Sequence, residues 1–273
     1  MGFTWWVDGT LMAAEHAVLP VADHGLTVGD GCFETTAIVR GRAFAMTRHL
    51  ARLRQSLAGL LIDLPLTDDE LRTATDAVVD ANPGAGIIRI TVTAGSGPLG
   101  SGRGDGDPTV IVAAGPNRGW PGTAGVITVP WARNERGALA GIKSTSYAEN
   151  VLALARAREA GASEAIFANT VGNLCEGTGT NIFVEHEGRV VTPPLSAGCL
   201  AGVTRGLVLE VTDAEEADLG IDVLRTTSEA FLTSSTRDVM AIDRIDDRAM
   251  TPGPLTSAAA AAFAELMAST IDP

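Results

Sequence analysis

Of all side chains, lysine alone offers a primary amine that can condense with a carbonyl carbon. The 273-residue chain carries twenty basic residues, and nineteen of them are arginine; the exception is Lys143. A guanidinium stays protonated and forms no Schiff base at neutral pH, so arginine replaces lysine on a surface but not as a carbon nucleophile. A single lysine is also what chance leaves in an arginine-rich chain, and its neighbourhood has to decide. Lys143 follows Gly141-Ile142 and precedes Ser144-Thr145-Ser146-Tyr147, at a predicted strand-to-helix junction. Partial desolvation there lowers an amine's proton affinity, as Schiff-base chemistry requires. Downstream, Glu176 lies in Cys175-Glu176-Gly177-Thr178-Gly179-Thr180-Asn181, a carboxylate on a turn of small and hydroxyl residues ahead of a strand. Leu200-Ala201-Gly202-Val203-Thr204-Arg205 feeds a glycine turn into a helix N-terminus, whose free N–H groups suit a phosphate. Ser234-Ser235-Thr236 adds hydroxyls after the short strand Phe231-Leu232-Thr233. Taken singly, each has an ordinary reading: Glu176 a solvated turn carboxylate, Arg52 a helix-surface charge, and Tyr147, the single tyrosine, a packing residue at a helix start.

The elements around these residues read clearly in places. Cys32–Val39 is a β-branched and apolar run, followed by an Arg40-Gly41 turn. From His49 the period changes, with Leu50, Leu53, Leu57, Leu60 and Leu61 marking an amphipathic helix that stops before Asp63-Leu64-Pro65. Thr67-Asp68-Asp69-Glu70 is a capping box opening a second helix that buries Leu71, Ala74 and Val78. Ile87–Thr93 and Thr109–Ala114 read as strands on either side of a glycine-rich loop, Gly95–Gly106. That loop contains Gly95-Ser96-Gly97-Pro98-Leu99-Gly100, a GxGxxG match, but Ser101–Pro108 cannot open the helix that a dinucleotide site needs. Gly115–Gly122 is the linker. Beyond it, strands are predicted at Ile127–Pro130, Glu164–Asn169, Asn181–Glu185, Arg189–Thr192 and Val239–Ile242. Helices are predicted over Tyr147–Ala160, Thr204–Val211 and 257–268, with a short helical turn starting at Ser228-Glu229-Ala230-Phe231.

Composition excludes several function classes. With 33 acidic residues and a net charge of −13, the surface does not suit nucleic acid or an anionic membrane. Three scattered cysteines (Cys32, Cys175, Cys199) make neither a disulfide framework nor a zinc site, so no metal is expected and they read as small buried apolar residues. His24 and His49 read as local hydrogen-bonding residues. No basic segment followed by an apolar run opens the chain, and a cytoplasmic protein is expected.

The ordered set VDG, DHGLTVGDGCFET, RHLARL, IKSTSYAENVLA, CEGTGTNIFV, TPPLSAGCLAGVTR and SST resembles the class IV aminotransferases of pyridoxal-phosphate fold type IV. That family includes D-amino-acid and branched-chain aminotransferases, (R)-selective amine transaminases and 4-amino-4-deoxychorismate lyases. The resemblance covers nearly the whole chain. It implies an α+β, two-domain fold: a small N-terminal α/β domain over 1–115, a linker over 116–125, and a larger C-terminal pseudo-barrel domain over 126–273 that binds pyridoxal 5'-phosphate (PLP). It further implies a homodimer with small-molecule amino donor and 2-oxo acid substrates. Lys143 matches the lysine that holds PLP as a Schiff base and shuttles the Cα proton, and Glu176 the carboxylate on the pyridine nitrogen. Arg52 matches the arginine on the phosphate, Val203 and Thr204 the helix-start phosphate site, and Ser235 and Thr236 further phosphate contacts. Leu200 matches the apolar residue under the ring, and Tyr147 a tyrosine near the phenolic oxygen.

The expected reaction is transamination from D-amino acids, with (R)-primary amines as further donors. GDGCFET and the loop before Arg103 are similar to lyase sequences, whereas EGTGTN is closer to the transaminases. A branched-chain aminotransferase is the third reading. The arginine–histidine carboxylate trap of the typical D-amino-acid enzyme is missing, since Ala94 and Gly97 stand there. Arg89, Arg103 and Arg133 are the substitute candidates for the substrate carboxylate, with Phe33 and Thr35 as further substrate contacts.

Overall fold

The structure is a computed structural model and describes residues 2–117 and 119–273; Met1 and Arg118, the latter within the predicted linker, lie outside the described residues. The chain divides into two compact units: Met1–Arg118 with Ile142–Tyr147 and Asp272, and Gly119–Gly141 with Ala148–Ile271 and Pro273. The segment carrying Lys143 thus packs with the N-terminal unit although it lies beyond the linker in sequence.

In the first unit, β1 (Thr4–Val7), β2 (Thr10–Ala13), β3 (Gly31–Val39), β4 (Arg42–Ala43), β5 (Ile87–Thr93) and β6 (Thr109–Gly115) form one sheet in the order β2-β1-β6-β5-β3-β4. A four-residue α1 (His24–Thr27) precedes β3, and α2 (Met46–Leu60) and α3 (Asp68–Ala81) follow β4. Leu50, Leu53 and Leu57 of α2 and Leu71 and Val78 of α3 pack on Cys32, Ile88, Ile90, Val92 and Val112 of the sheet. Because side chains alternate along a strand, this core face also receives Glu34 and Thr36. Phe33 and Thr35 point to the opposite face, where the register sets them against Thr91 and Arg89. The capping box is present: Thr67 N–H donates to Glu70 Oε2 at 2.7 Å and Glu70 N–H to Thr67 Oγ1 at 3.2 Å. The glycine-rich loop contains no helix.

The second unit holds a nine-stranded sheet with the path β12-β11-β10-β13-β14-β7-β8-β9, β15 pairing β14. Its strands are β7 (Thr123–Arg133), β8 (Glu164–Asn169), β9 (Leu174–Gly177), β10 (Asn181–His186), β11 (Arg189–Thr192), β12 (Glu215–Glu216), β13 (Ala230–Ser234), β14 (Asp238–Ile245) and β15 (Arg248–Ala249). Helices α4 (Ala148–Glu159), α5 (Val203–Val211) and α6 (Pro254–Ser269) complete it. Ala153 and Ala157 of α4 pack on Val129, Ala165 and Phe167, while Ile166, Ile182, Leu232 and Ile242 fill a separate cluster. The strand expected at Phe231–Thr233 is present as part of β13 (Ala230–Ser234), and the helical turn expected from Ser228 is a correction. Ala230–Thr233 are buried throughout, and a fully buried strand shows no two-residue alternation by which to tell it from helix. Phe231 instead stacks on Phe183 of β10 with ring centroids 4.8 Å apart. Among the described residues, no helix is long and apolar enough to cross a membrane.

Candidate active site

Lys143 is held by backbone pairing rather than by an element of its own. Cys32 and Ser144 form an antiparallel bridge. Phe33 N–H donates to the Lys143 carbonyl at 3.0 Å, and Thr145 N–H to the Gly31 carbonyl at 2.8 Å. The segment is in effect an added edge on the start of β3, and the glycines of the GDG run make room for it. A Cβ on Gly31 would stand 3.2 Å from Thr145 Oγ1 as well as 2.6 Å from the Val92 carbonyl of β5, and Gly29, at φ +70°, would bring one within 2.7 Å of Ser146 Oγ. From α2, Ser56 Oγ accepts the Lys143 N–H at 3.3 Å.

The half-buried Lys143 side chain then runs over Phe33, with Nζ 4.4 Å from that ring's centroid and 5.9 Å from that of Tyr147. The two rings meet edge to face at 5.3 Å. Arg89 lays its guanidinium 3.6 Å from the centroid of the same Phe33 ring. Burial pulls the Arg89 guanidinium below its ordinary value, partly offset by Tyr147. Of the sequence candidates, the structure therefore groups Lys143, Tyr147, Phe33 and Arg89, with Thr35 opposite Arg89 in register.

Arg52 is buried under the sheet in a triad that the sequence reading missed. Its Nε and one terminal nitrogen donate to the two oxygens of Glu34 at 2.8 and 2.7 Å, and His49 Nδ1 lies 2.7 Å from Glu34 Oε2. Burial alone would raise the Glu34 carboxyl, but the charge and hydrogen bonds of Arg52, with His49 adding to them, hold it down at about 2. Burial lowers the His49 imidazole, against the pull of Glu34. The available signal was positional: strand alternation puts Glu34 on the face of Cys32 and Thr36, and a carboxylate there needs a cation from the covering helix.

Two arginines expected at the substrate have other partners. Arg103 donates from Nε and a terminal nitrogen to both Asp30 oxygens at 2.7 Å, and to the carbonyls of Leu60 and Leu61 at 2.7 Å. It pins the glycine-rich loop to the end of α2, whose last carbonyls lack intrahelical donors. Its hydrogen bonds hold Asp30 below its ordinary value. Arg133, at the end of β7, pairs with Glu149 Oε2 at 2.6 Å and Glu176 Oε1 at 3.2 Å, lying 4.0 Å over the Phe167 ring.

In the second unit, Glu176 sits opposite Phe167 in the β8–β9 register. Its Oε2 accepts the Leu200 N–H at 2.9 Å. The turn after it is tied down by Glu164, which is fully buried. Glu164 accepts the Thr178 N–H at 3.0 Å, the Thr178 hydroxyl, and the Thr180 hydroxyl at 3.2 Å. Asn150 of α4 donates to the Thr178 carbonyl at 2.5 Å. These contacts explain the small hydroxyl residues of that turn.

Leu200 leads into α5, which starts at Val203 with Gly202 as N-cap, no side-chain cap and no acidic residue in its first turn. Asn181 donates to the Leu200 carbonyl at 2.9 Å, and its Oδ1 would stand 2.0 Å from a Cβ on Gly202. Across β10–β13 from Asn181, Thr233 Oγ1 is buried without a partner. Ser235 and Thr236 follow, half-buried, at the end of β13. An uncapped nine-residue helix with no acid in its first turn, next to an orphaned buried hydroxyl, fits an anion such as a cofactor phosphate. A carboxylate with both oxygens held, beside the cushion of Leu200, fits the ring-nitrogen side of the same group.

A lysine amine on an aromatic pair in the first unit and, within the second, a held carboxylate and a glycine-opened uncapped helix are the kinds of group that a PLP-dependent transferase uses. The amino-transferase class IV model matches residues 31–245, and the chain belongs to that family, whose cofactor is PLP. Its fold is that of class IV aminotransferases. A putative branched-chain-amino-acid aminotransferase of Methanocaldococcus jannaschii is 34% identical, covering 89% of this chain and 88% of the relative. A D-alanine aminotransferase of Bacillus licheniformis is 31% identical, covering 91% and 92%. Among solved structures, the branched-chain aminotransferase of Thermoproteus uzoniensis with norvaline superposes with a TM-score of 0.91 at 27% identity, covering 97% and 95%.

Proposed function

We propose that the chain is an amino-acid transaminase that passes the amino group of an aliphatic amino acid to a 2-oxo acid such as 2-oxoglutarate or pyruvate. The observation that carries this reading is the Lys143 amine standing on the Phe33–Tyr147 pair, with Arg89 on the same Phe33 ring. An aromatic wall suits an apolar side chain, and a guanidinium suits a carboxylate. In this reading Lys143 Nζ carries the cofactor and then takes and returns the Cα proton. Glu176 pairs with the ring nitrogen; the bound cofactor supplies a cationic ring that accepts the electrons left when the Cα–H bond breaks. The amides of Val203 and Thr204, the hydroxyls of Ser235 and Thr236, and Arg52, oriented by Glu34, hold the phosphate. Leu200 lies against the ring, Tyr147 reaches the phenolic oxygen, and Arg89, Phe33 and Thr35 contact the substrate.

Likeness to the M. jannaschii and T. uzoniensis proteins supports branched-chain amino acids as donors. Likeness to D-alanine aminotransferase supports the second reading, D-amino acids, with (R)-primary amines beside them. A half-reaction panel separates them: leucine and valine in both hands, D-alanine, D-glutamate and (R)-1-phenylethylamine, each scored by loss of the cofactor's visible band. Bleaching by L-leucine and L-valine is expected. Bleaching by D-alanine alone selects the second reading, and pyruvate release from aminodeoxychorismate without any donor bleaching overturns transamination in favour of the lyase.

A further inference from the structure

The contacts around Glu176 assign a task to Arg133 that the substrate reading did not foresee. Three neighbouring strands build it. Arg133 ends β7, Phe167 lies on β8 and Glu176 on β9, and the registers pair Arg133 with Asn169 and Phe167 with Glu176. The Arg133 guanidinium therefore crosses the fully buried Phe167 ring to reach the carboxylate. Glu176 Oε1 lies 3.2 Å from Arg133 Nε, and Oε2 accepts the Leu200 amide N–H at 2.9 Å. The first is an ion pair without hydrogen-bond alignment. Glu149, on the first turn of α4, holds the far side of the guanidinium at 2.6 Å and fixes its pose. Both Arg133 and Glu176 are only 14% exposed at the side chain, where little water screens the pair.

We propose that Arg133 is a positioning residue that keeps Glu176 ionised and aimed at the ring nitrogen of the cofactor, rather than a receptor for the substrate carboxylate. The inference rests on the reading of Glu176 given above. Cys175, Cys199 and Glu135 do not supply this charge. Burial pushes the Cys175 thiol up and that of Cys199 up to about 12, so both stay neutral. Glu135, which acts on Cys175, is an anion held below its ordinary value by hydrogen bonds from Thr170. Strand β8 presents Phe167, an uncharged ring.

The test is the pH dependence of PLP affinity in the full-length protein, together with the carboxyl 13C titration of Glu176 followed by NMR. In Arg133→Gln, the acid limb of PLP binding and the Glu176 titration should both move up by about one pH unit or more, the effect of removing an adjacent opposite charge. Arg133→Lys keeps a cation and should return both curves toward those of the parent protein. An Arg133→Gln protein that titrates like the parent overturns the proposal. So does an Arg133→Lys protein displaced as far as Arg133→Gln, which would mark a packing role on Phe167. Glu176→Gln separates the two readings. If it binds PLP as the parent does, the ring-nitrogen assignment of Glu176 fails. If it loses affinity while Arg133→Gln does not, only the role of Arg133 fails.

Discussion

Lys143 earns its reading from two independent facts, the absence of any other lysine and the placement of its amine on an aromatic pair. Borohydride reduction of the PLP-loaded protein should fix a pyridoxyl group on the peptide containing residue 143. Lys143→Ala should yield no such adduct and lose at least about 100-fold in turnover, the low end of what a positioned proton-transfer group contributes. Both Lys143 and Glu176 could be singled out from the sequence because each sits in a recognisable motif, IKSTSYAENVLA and CEGTGTNIFV. Arg89 was legible only as one of three arginines. What separates it from Arg103 and Arg133 is that their guanidiniums are held by Asp30 and by Glu176 with Glu149, partners up to 73 residues away.

At the scale of elements, the turn into α5 and the glycine-rich loop make opposite predictions. Gly202 has Asn181 where a Cβ would go, at 2.0 Å. Gly202→Ala must therefore push Asn181 off the Leu200 carbonyl, disturbing the residue whose amide holds Glu176. We expect a stability cost of about 1–3 kcal/mol, typical of overpacking, and a weaker PLP affinity read by equilibrium titration. Arg103→Ala removes a partly exposed staple, and such surface pairs contribute roughly 0–1 kcal/mol. Its melting temperature should barely move, whereas limited proteolysis should cut within Gly95–Gly106 much faster than in the parent. The loop was recognisable by composition; its attachment was not, because Arg103 reaches back to Asp30 and to the end of α2. Likewise α2 and α3 announced themselves by periodicity and a capping box, while β13 was read only in part: Phe231–Thr233 as strand, but its start from Ser228 as a helical turn, its burial on both sides leaving no alternation to read.

For the whole molecule, acid stability should be governed by the Glu34–His49–Arg52 triad. Folded Glu34 titrates at about 2 against an ordinary 4.5, so its contribution is complete above about pH 4.5 and is lost as pH falls through about 2. His49 is held below its ordinary 6.5, so the unfolded chain takes up its proton first, and stability starts to fall as pH drops past that value. Urea unfolding between pH 7 and pH 3 should show both losses. Glu34→Gln should cost about 3–5 kcal/mol at pH 7, since it strands a buried guanidinium, and should flatten the part of the curve below pH 4.5.

What the amino-acid order alone determined was the family, the cofactor chemistry, most helices and strands, and which amine to propose as the reacting one. Those follow from short-range patterns: spacing along one element, caps, and motifs a few residues long. Tertiary structure decided which charges meet. The pairing of 142–147 with β3, Glu34 with Arg52, and Arg133 with Glu176 joins residues 18 to more than 100 positions apart. Such pairings depend on sheet register and strand order, and no local period in the chain records either.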